Sequence, residues 1–416
     1  MPIDFTLTSS QVELQQRARQ FAKRTLSQVT EVIRHLPTPE DRFRATRPFY
    51  EELVREGFMQ RLIPQPFGGG GTGMVDMAIV AEEFYTQDVS VPLTMFANLL
   101  GLMPLFLAGT PEQQRHFIGP FLERSGAPLA ALASTEPGGS ANYRSAATGG
   151  GVRTQAVLEG QEWVINGTKQ WVSSASGWDG KGADLLSVVC RTDPLAAPEH
   201  GVSVILVPGP AQGFTANRAH ESAGHRGHMT CNFSLLETRV PQENVIGEVG
   251  RGLDLVDASF SPTAALVGVM SLGVMRAAFD FALDFAKTER RGGEATIINH
   301  QAVGYALVDA KAAIEAVRSL SYRACFALDQ QDPEAFELAL HAKVFGSETA
   351  VRVITELMRV VGIESYDHLS SPLAGLLQDA LAFPLFDGGN MGVRRRQLHE
   401  LMRQDGYDST ATIFHP

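Results

Sequence analysis

The chain runs to 416 residues but holds only three cysteines, Cys190, Cys231 and Cys325, odd in number and far apart. That scarcity fits neither a disulfide framework nor a CxxC metal or redox site, so the three are expected to be buried, reduced thiols. Positive charge is short as well: 35 Lys and Arg against 46 Asp and Glu leave a formal net charge of −11, and the basic residues form no long patch. Such a balance offers no attraction to nucleic acid or anionic lipid, and nucleic-acid binding is not expected. No apolar run approaches the roughly twenty residues that cross a bilayer, so no membrane span is expected. The opening Met1-Pro2-Ile3-Asp4-Phe5 lacks a basic region followed by an apolar one, which makes the expected location cytoplasmic. Internal repeats are lacking too.

What is present is an ordinary composition, 44% hydrophobic and 19% charged, in a chain long enough for two or three domains and an enclosed site. Up to residue 128 the pattern is helical. Ser10 with Glu13 has the form of a capping box, and Leu14, Ala18, Phe21, Ala22, Thr25, Val29, Ile33 and Leu36 then recur at helical spacing, so one long helix is expected as far as Pro37. Further helices are expected over 48–56, 74–87 and 91–108 and after Thr110-Pro111. The glycine-rich stretch 62–73 has no strand before it and no Gly-Lys-Ser/Thr after it, so it reads as a flexible turn and not a phosphate loop.

From Leu129 short alternating or β-branched runs take over, at 155–159, 162–165, 170–173, 184–190, 202–207 and 230–236, with Asn166-Gly167 as a tight hairpin turn. Helices return near residue 250. A short one is expected over 253–258, then a long one capped by Ser261 with Pro262 at its first position, others over 299–329 and from Asp332-Pro333 to about Gly362, and a last one after Asp387. Long helices joined by short loops suggest an antiparallel bundle. The expected fold class is α+β: a helical domain over 1–128, a β-barrel or sandwich domain over 129–248 and a four-helix bundle domain over 249–416.

Chemistry concentrates in the stretch 383–396, where Asp387 and three arginines, Arg394 to Arg396, lie beside four apolar residues. Asp387 is either a base in a desolvated setting or a turn residue, since Asp-Gly forms turns and Asp caps helices. Arg394 lies seven residues on, about two helical turns, and either folds back onto Asp387 or faces solvent. His220, His225 and His228 are close in sequence, but no acidic or Cys partner accompanies them and no metal site is expected.

The helical, β, helical order and four motifs together resemble the acyl-CoA dehydrogenase superfamily of flavoproteins over nearly the whole chain. Residues 132–140 resemble the family's Thr-Glu-Pro-Gly flavin loop, shortened by one residue, which implies Thr135, Gly139 and Ser140 as contacts to FAD. Residues 163–174 resemble the hairpin whose Trp packs on the flavin and whose Ser or Thr hydrogen-bonds near its reactive nitrogen, the places of Trp171 and Ser173. Residues 239–247 resemble the exit from the β domain. Arg290, in Thr288-Glu289-Arg290, with Gln301 eleven residues later, resembles a contact to the adenine-dinucleotide half of a neighbouring subunit's FAD, which implies a homotetramer. The family's Phe-Gly after that arginine is replaced by Gly293-Glu294, and 361–366 keeps only part of a Gly-rich loop.

The largest departure is at the base. Where ordinary members carry a glutamate, this chain has Asp387-Gly388-Gly389, and 259–265 lacks the acid and the arginine that acyl-CoA dehydrogenases carry on the corresponding helix. Both features resemble the nitroalkane oxidase branch, with Asp387 as base, Arg394 in contact with it and Ser261 supporting it; Gly-Gly-Ser-Ala-Asn after the Glu-Pro of the flavin loop points the same way. The resemblance implies an FAD-dependent oxidase in which Asp387 takes the α-proton of a small neutral nitroalkane, nitrite and an aldehyde or ketone leave, and O2 is reduced to hydrogen peroxide. The alternative it implies is an acyl-CoA or acyl-carrier-protein dehydrogenase that passes electrons to an electron-transfer flavoprotein. A third is a divergent flavoprotein without catalysis.

Overall fold

The computed structural model describes residues 6–147 and 150–412. Residues 1–5, on which the reading of the amino terminus rested, lie outside the described residues. The first helix, α1 (Ser9–Arg24), is capped by Thr8 and not by Ser10: the Thr8 hydroxyl accepts from Gln11 N at 3.3 Å while the Gln11 side chain accepts from Thr8 N at 3.0 Å. A tightened turn over Leu26–Gln28 then separates α1 from α2 (Val29–Ile33), so the long periodic stretch is two helices that share one buried face. Helix α3 (Pro39–Arg55) begins nine residues earlier than expected, on a Thr38 cap, and runs through Pro48. Arg44, whose carbonyl loses its helical donor there, is exposed, so solvent reaches this side of the helix. Helices α4 (Met74–Phe84), α5 (Ser90–Ala108) and α6 (Pro111–Leu122) complete the domain, the last on the expected Thr110 cap.

The middle of the chain forms one mixed sheet of eight strands: β1 (Ala130–Ala133), β2 (Gln155–Glu159), β3 (Glu162–Ser173), β4 (Leu185–Arg191), β5 (Val202–Pro208), β6 (Phe214–Ala219), β7 (Thr230–Pro241) and β8 (Val245–Ile246), with a short helix α7 (Pro198–Gly201) before β5. The order is β6-β7-β3-β2-β4-β5-β8, with β1 parallel to β4. The expected hairpin turn is corrected here. Asn166 and Gly167 lie within β3, and the β2–β3 turn is at Gly160, which has φ 65° and sits between the paired Glu159 and Glu162. Asn166 instead marks a register shift against β7, its side chain accepting from Glu237 N at 2.8 Å and donating to Glu237 Oε1 at 2.7 Å. Gly167 is there for close approach: a Cβ would stand 2.5 Å from Thr154 Oγ1.

The carboxy-terminal part has three long helices, α8 (Gly252–Thr288), α9 (Gln301–Asp329) and α10 (Ala335–Val361), with the short α11 (Leu373–Ala380) and α12 (Arg395–Met402) in place of a fourth long one. Helix α8 is continuous through Pro262, so Ser261 lies inside it and caps nothing. Helices α5 and α8 are long and apolar enough to cross a membrane by length and composition, which corrects the expectation that no segment would be; in each, 67% of the apolar window is buried inside the protein, where α5 packs on β1 and α8 on α9 and α10. All three cysteines are buried and free, as expected.

Candidate active site

The loop after α11 carries Asp387 in the left-handed region, at φ 52°, where Asp and Asn are tolerated better than other side chains because their short polar groups bond locally. A turn with π-type bonding over Asn390–Arg394 follows and swings Arg394 back over the loop. Its Nε donates to the Asp387 carbonyl at 2.7 Å and its Nη2 to Asp387 Oδ2 at 3.0 Å, so one guanidinium grips both the backbone and the carboxylate of the same residue. Gly388 permits this approach, since a Cβ there would stand 2.9 Å from Arg394 Nε. The pair is buried, with side-chain exposures of 2% for Arg394 and 6% for Asp387. Gln397 accepts from Arg394 Nη1 at 3.0 Å, and the Phe260 ring lies 5.4 Å from the guanidinium carbon.

The other carboxylate oxygen, Oδ1, accepts from Thr263 Oγ1 at 2.8 Å. Ser261, expected in that role, makes no hydrogen bond to Asp387 among the described residues; a side chain two places further along the helix supplies the donor. Recognising α8 as unbroken through Pro262 would have made Thr263 a candidate, because it then lies a turn from Phe260 on a helix facing the loop.

A second group of side chains surrounds the end of β1. Glu136 is buried there, its carboxylate accepting from Arg153 N at 2.8 Å, Thr154 N at 2.9 Å and Lys169 Nζ at 2.8 Å. Burial alone would raise its pKa; the Lys169 ammonium and the donors outweigh burial and hold the carboxyl below its usual value. Gln170 N donates to the Thr135 carbonyl at 2.8 Å, which ties this loop to the strand bearing Trp171 and Ser173. Gly138 and Gly139 face open space, with nothing within 4 Å of where a Cβ would be, and Ser140 follows them. Trp171 sits in a bulge of β3 at φ 58°, stacked on His220 at 3.7 Å between ring centres, and is 54% exposed. Ser173 Oγ is 3.0 Å from His228 Nε2, whose Nδ1 is 2.9 Å from Thr94 Oγ1; burial, then nearby His225, pushes His228 down to about 3, so it is neutral. His225, the third of the histidines, is buried with neither ring nitrogen hydrogen-bonded among the described residues, and among those residues no group of three His, Cys, Asp or Glu is placed to hold a metal.

Helix α12 joins the two groups. Arg396 Nη1 donates to the Ala141 carbonyl at 2.6 Å, which sets the segment after Asp387 against the chain just beyond Ser140, beside a cavity of about 670 Å³ lined by Asn142, Arg144, Asp257, Arg396 and Gln397 among others. Arg290 and Gln301 are elsewhere, both exposed at the α8–α9 junction, where Arg290 donates to the Glu294 carbonyl and Gln301 to the Tyr305 hydroxyl. The neighbouring Arg291, also exposed, donates to Glu364 Oε2 at 2.7 Å.

Three family models match the chain in the same order, acyl-CoA dehydrogenase N-terminal domain over 8–125, middle domain over 131–237 and C-terminal domain over 250–402. A nitroalkane oxidase of Podospora anserina is 41% identical, over 100% of this chain and 99% of its own. The chain belongs to the acyl-CoA dehydrogenase family, in its nitroalkane oxidase branch. A solved structure of an active-site variant of nitroalkane oxidase crystallized with 1-nitrooctane superposes with a TM-score of 0.95 at 36% identity, covering 99% of this chain and 100% of that one. A short-chain specific acyl-CoA dehydrogenase of Bos taurus is 29% identical over 85% of this chain and 81% of its own. As a member of this family the protein is an FAD-dependent flavoenzyme with the helical, β, helical architecture described above.

The residues present fit FAD. A half-exposed indole beside a serine, and a glycine pair that leaves space beyond its backbone, form a surface for a flat polar group and its phosphates; the Ser174 hydroxyl, buried close by in sequence, makes no hydrogen bond among the described residues.

Proposed function

We propose that the protein oxidises small neutral nitroalkanes, with Asp387 as the base that removes the α-proton. The observation that carries this reading is the buried Asp387–Arg394 pair on a left-handed backbone, with Thr263 on the other carboxylate oxygen. A base must keep a free lone pair while held in place. Arg394 occupies one site on Oδ2 and Thr263 one on Oδ1, and a carboxylate has about four such sites, so the grip leaves room for a substrate proton. The Arg394 guanidinium, 3.0 Å from Oδ2, pairs with the carboxylate and fixes its orientation. The α-hydrogen of a nitroalkane is acidic because the nitro group spreads the charge left behind, so a single carboxylate is enough to take it.

Thr135, Gly139, Ser140, Trp171 and Ser173 would hold the flavin end of FAD. Bound there, FAD would supply the acceptor for the substrate's two electrons, with O2 as the final oxidant reduced to hydrogen peroxide and water supplying the carbonyl oxygen of the aldehyde or ketone as nitrite leaves. Arg290 and Gln301, exposed and away from this loop, support a role toward the cofactor of a neighbouring subunit, hence a homotetramer. The nitroalkane oxidases of similar sequence and the solved structure crystallized with 1-nitrooctane support the substrate class.

One assay tests the reading. Purified protein given nitroethane is expected to release nitrite and peroxide in equal amounts, and butyryl-CoA with a dye acceptor is expected to leave the flavin unreduced. Flavin bleaching by the acyl-CoA without nitrite production would establish the thioester dehydrogenase instead.

A further inference from the structure

Behind the Asp387–Arg394 pair lies a cation that the reaction above does not use. Lys343 on α10 has no exposed surface, and among the described residues its ammonium has one hydrogen-bond acceptor, Asn390 Oδ1 at 2.6 Å. Burying an ammonium with one of three donors satisfied is unfavourable, so its retention calls for a return. Asn390 provides one. It is buried and opens the turn that delivers Arg394, and its amide is held at every edge: it accepts from Lys343, donates to Ser347 Oγ at 3.0 Å and Glu348 Oε1 at 3.1 Å, and its backbone N donates to the Pro384 carbonyl at 2.8 Å. Lys343, Ser347 and Glu348 are four and five residues apart on one face of α10, so the helix presents three groups to one amide. The turn's other backbone bonds are local, with Val393 N and Arg394 N both donating to the Gly389 carbonyl at 3.2 and 3.1 Å, and beyond the turn the exposed Arg395 reaches the same helix at Glu348 Oε2, 2.7 Å away.

We propose that Lys343 is a positioning residue for the base: through Asn390 it anchors the turn between Asp387 and Arg394 to the helical bundle and so fixes the carboxylate against the guanidinium. This rests on Asp387 being the base. The charged groups around Lys343 are Asp387 and Glu348, which favour its ammonium form, and Arg394 and Arg395, which oppose it. Burial, the largest influence, brings its pKa down to about 8, so near neutral pH the ammonium persists and the anchor is closed.

The test compares Lys343→Met, which keeps the volume and removes the donor, with Lys343→Arg, which keeps the charge. Lys343→Met is expected to lower kcat/KM for neutral nitroethane about ten-fold or more, equivalent to about 1.4 kcal/mol of barrier, and to leave oxidation of the pre-formed ethyl nitronate within about two-fold. The pH profile on the neutral substrate should change shape, and Lys343→Arg should restore part of the loss. Asn390→Ala breaks the same anchor from the other side, and added to Lys343→Met it should cause little further loss. A crystal structure of Lys343→Met, or of Asn390→Ala should the first not fold, gives a readout independent of turnover: Arg394 Nη2 is expected to move away from Asp387 Oδ2. An unmoved pair, or equal losses on nitroethane and nitronate with an unchanged pH profile, would overturn the proposal. A wild-type protein inert to both nitroethane forms would defeat the proposed reaction and leave the crystallographic comparison to decide the anchor.

Discussion

Replacing Asp387 by Asn separates a base from a turn residue, and the structure sets how large each consequence should be. At φ 52° the backbone asks for a residue that tolerates the left-handed region, and Asn meets that demand as well as Asp does. Its carbonyl can still accept from Arg394 or Thr263. What is lost is the negative charge beside a guanidinium that is 2% exposed. Removing one partner of a buried pair costs about 3–5 kcal/mol when the other is stranded. Arg394 is not stranded, because the carbonyl of residue 387 and Gln397 keep accepting from it at 2.7 and 3.0 Å and the Phe260 ring stays beneath it. The expected destabilisation is therefore about 1–3 kcal/mol, a few degrees in melting temperature. Turnover of neutral nitroethane should fall about a hundred-fold or more, since a positioned base contributes a factor of about 10² to 10⁴. Ethyl nitronate already lacks the proton, so its oxidation should persist within several-fold of wild type. Stopped-flow reduction of the flavin by each form, with FAD content checked by absorbance, measures both. Loss of both activities together, or of neither, would refute the base and leave Asp387 as a residue of the loop.

Thr263→Val removes the donor to Oδ1 and should lower kcat/KM on neutral nitroethane about ten-fold, whereas Ser261→Ala should lower it less; the reverse ranking would return the supporting role to Ser261. Trp171→Ala and Ser173→Ala should raise the dissociation constant of FAD or slow flavin reduction more than they lower the melting temperature, because β3 is held by its pairing with β2 and β7; normal flavin content and reduction rate in both would make them structural. Stability against pH offers a further test. Burial brings His225 and His228 down to about 4 and 3, so the unfolded chain binds more protons below its histidine values near 6.5 and these two groups make the fold weaken on acidification. Burial raises Asp379 to about 7 and Asp88 to about 6, so there the fold holds protons that the unfolded chain has released, and these two groups weaken it as pH rises from about 4. Between about pH 4 and 6 the two pairs nearly cancel. Asp379→Asn removes one compensating proton, and its stability relative to wild type should fall by about 1.4 kcal/mol for each pH unit of acidification in that window; parallel denaturation midpoints for the two proteins would contradict the balance.

The order of helices and strands and the stretch that carries the Asp387–Arg394 pair were legible because hydrophobic period and a local motif carry them. Element ends were less so. Pro48 and Pro262 both read as helix starts, yet each lies inside a helix whose lost backbone bond is tolerated, which no local rule reveals. Asn166-Gly167 has the composition of a tight turn, but Gly160 six residues earlier makes that turn and the pair serves a bulge against β7. Pro262 also hid Thr263, since a helix taken to begin there gives no reason to look further along α8 for a donor to Asp387. Lys343 and Asn390 are 47 positions apart, and nothing in either neighbourhood announces that a helix and a loop will bring them within 2.6 Å.

Under the proposed reaction the enzyme makes peroxide and must live with its product. Oxidation of cysteine proceeds through the thiolate, and here burial raises Cys231 to about 11 and Cys190 to about 12 and pushes Cys325 higher still, so all three remain protonated and out of reach. The chain's sulfur is therefore most vulnerable at methionine. Met391 is 80% exposed, lies four residues after Asp387, and its sulfur accepts from Arg395 Nη1 at 3.3 Å. Wear during turnover should begin there, at the rim of the reacting loop, while the thiols in the core outlast it.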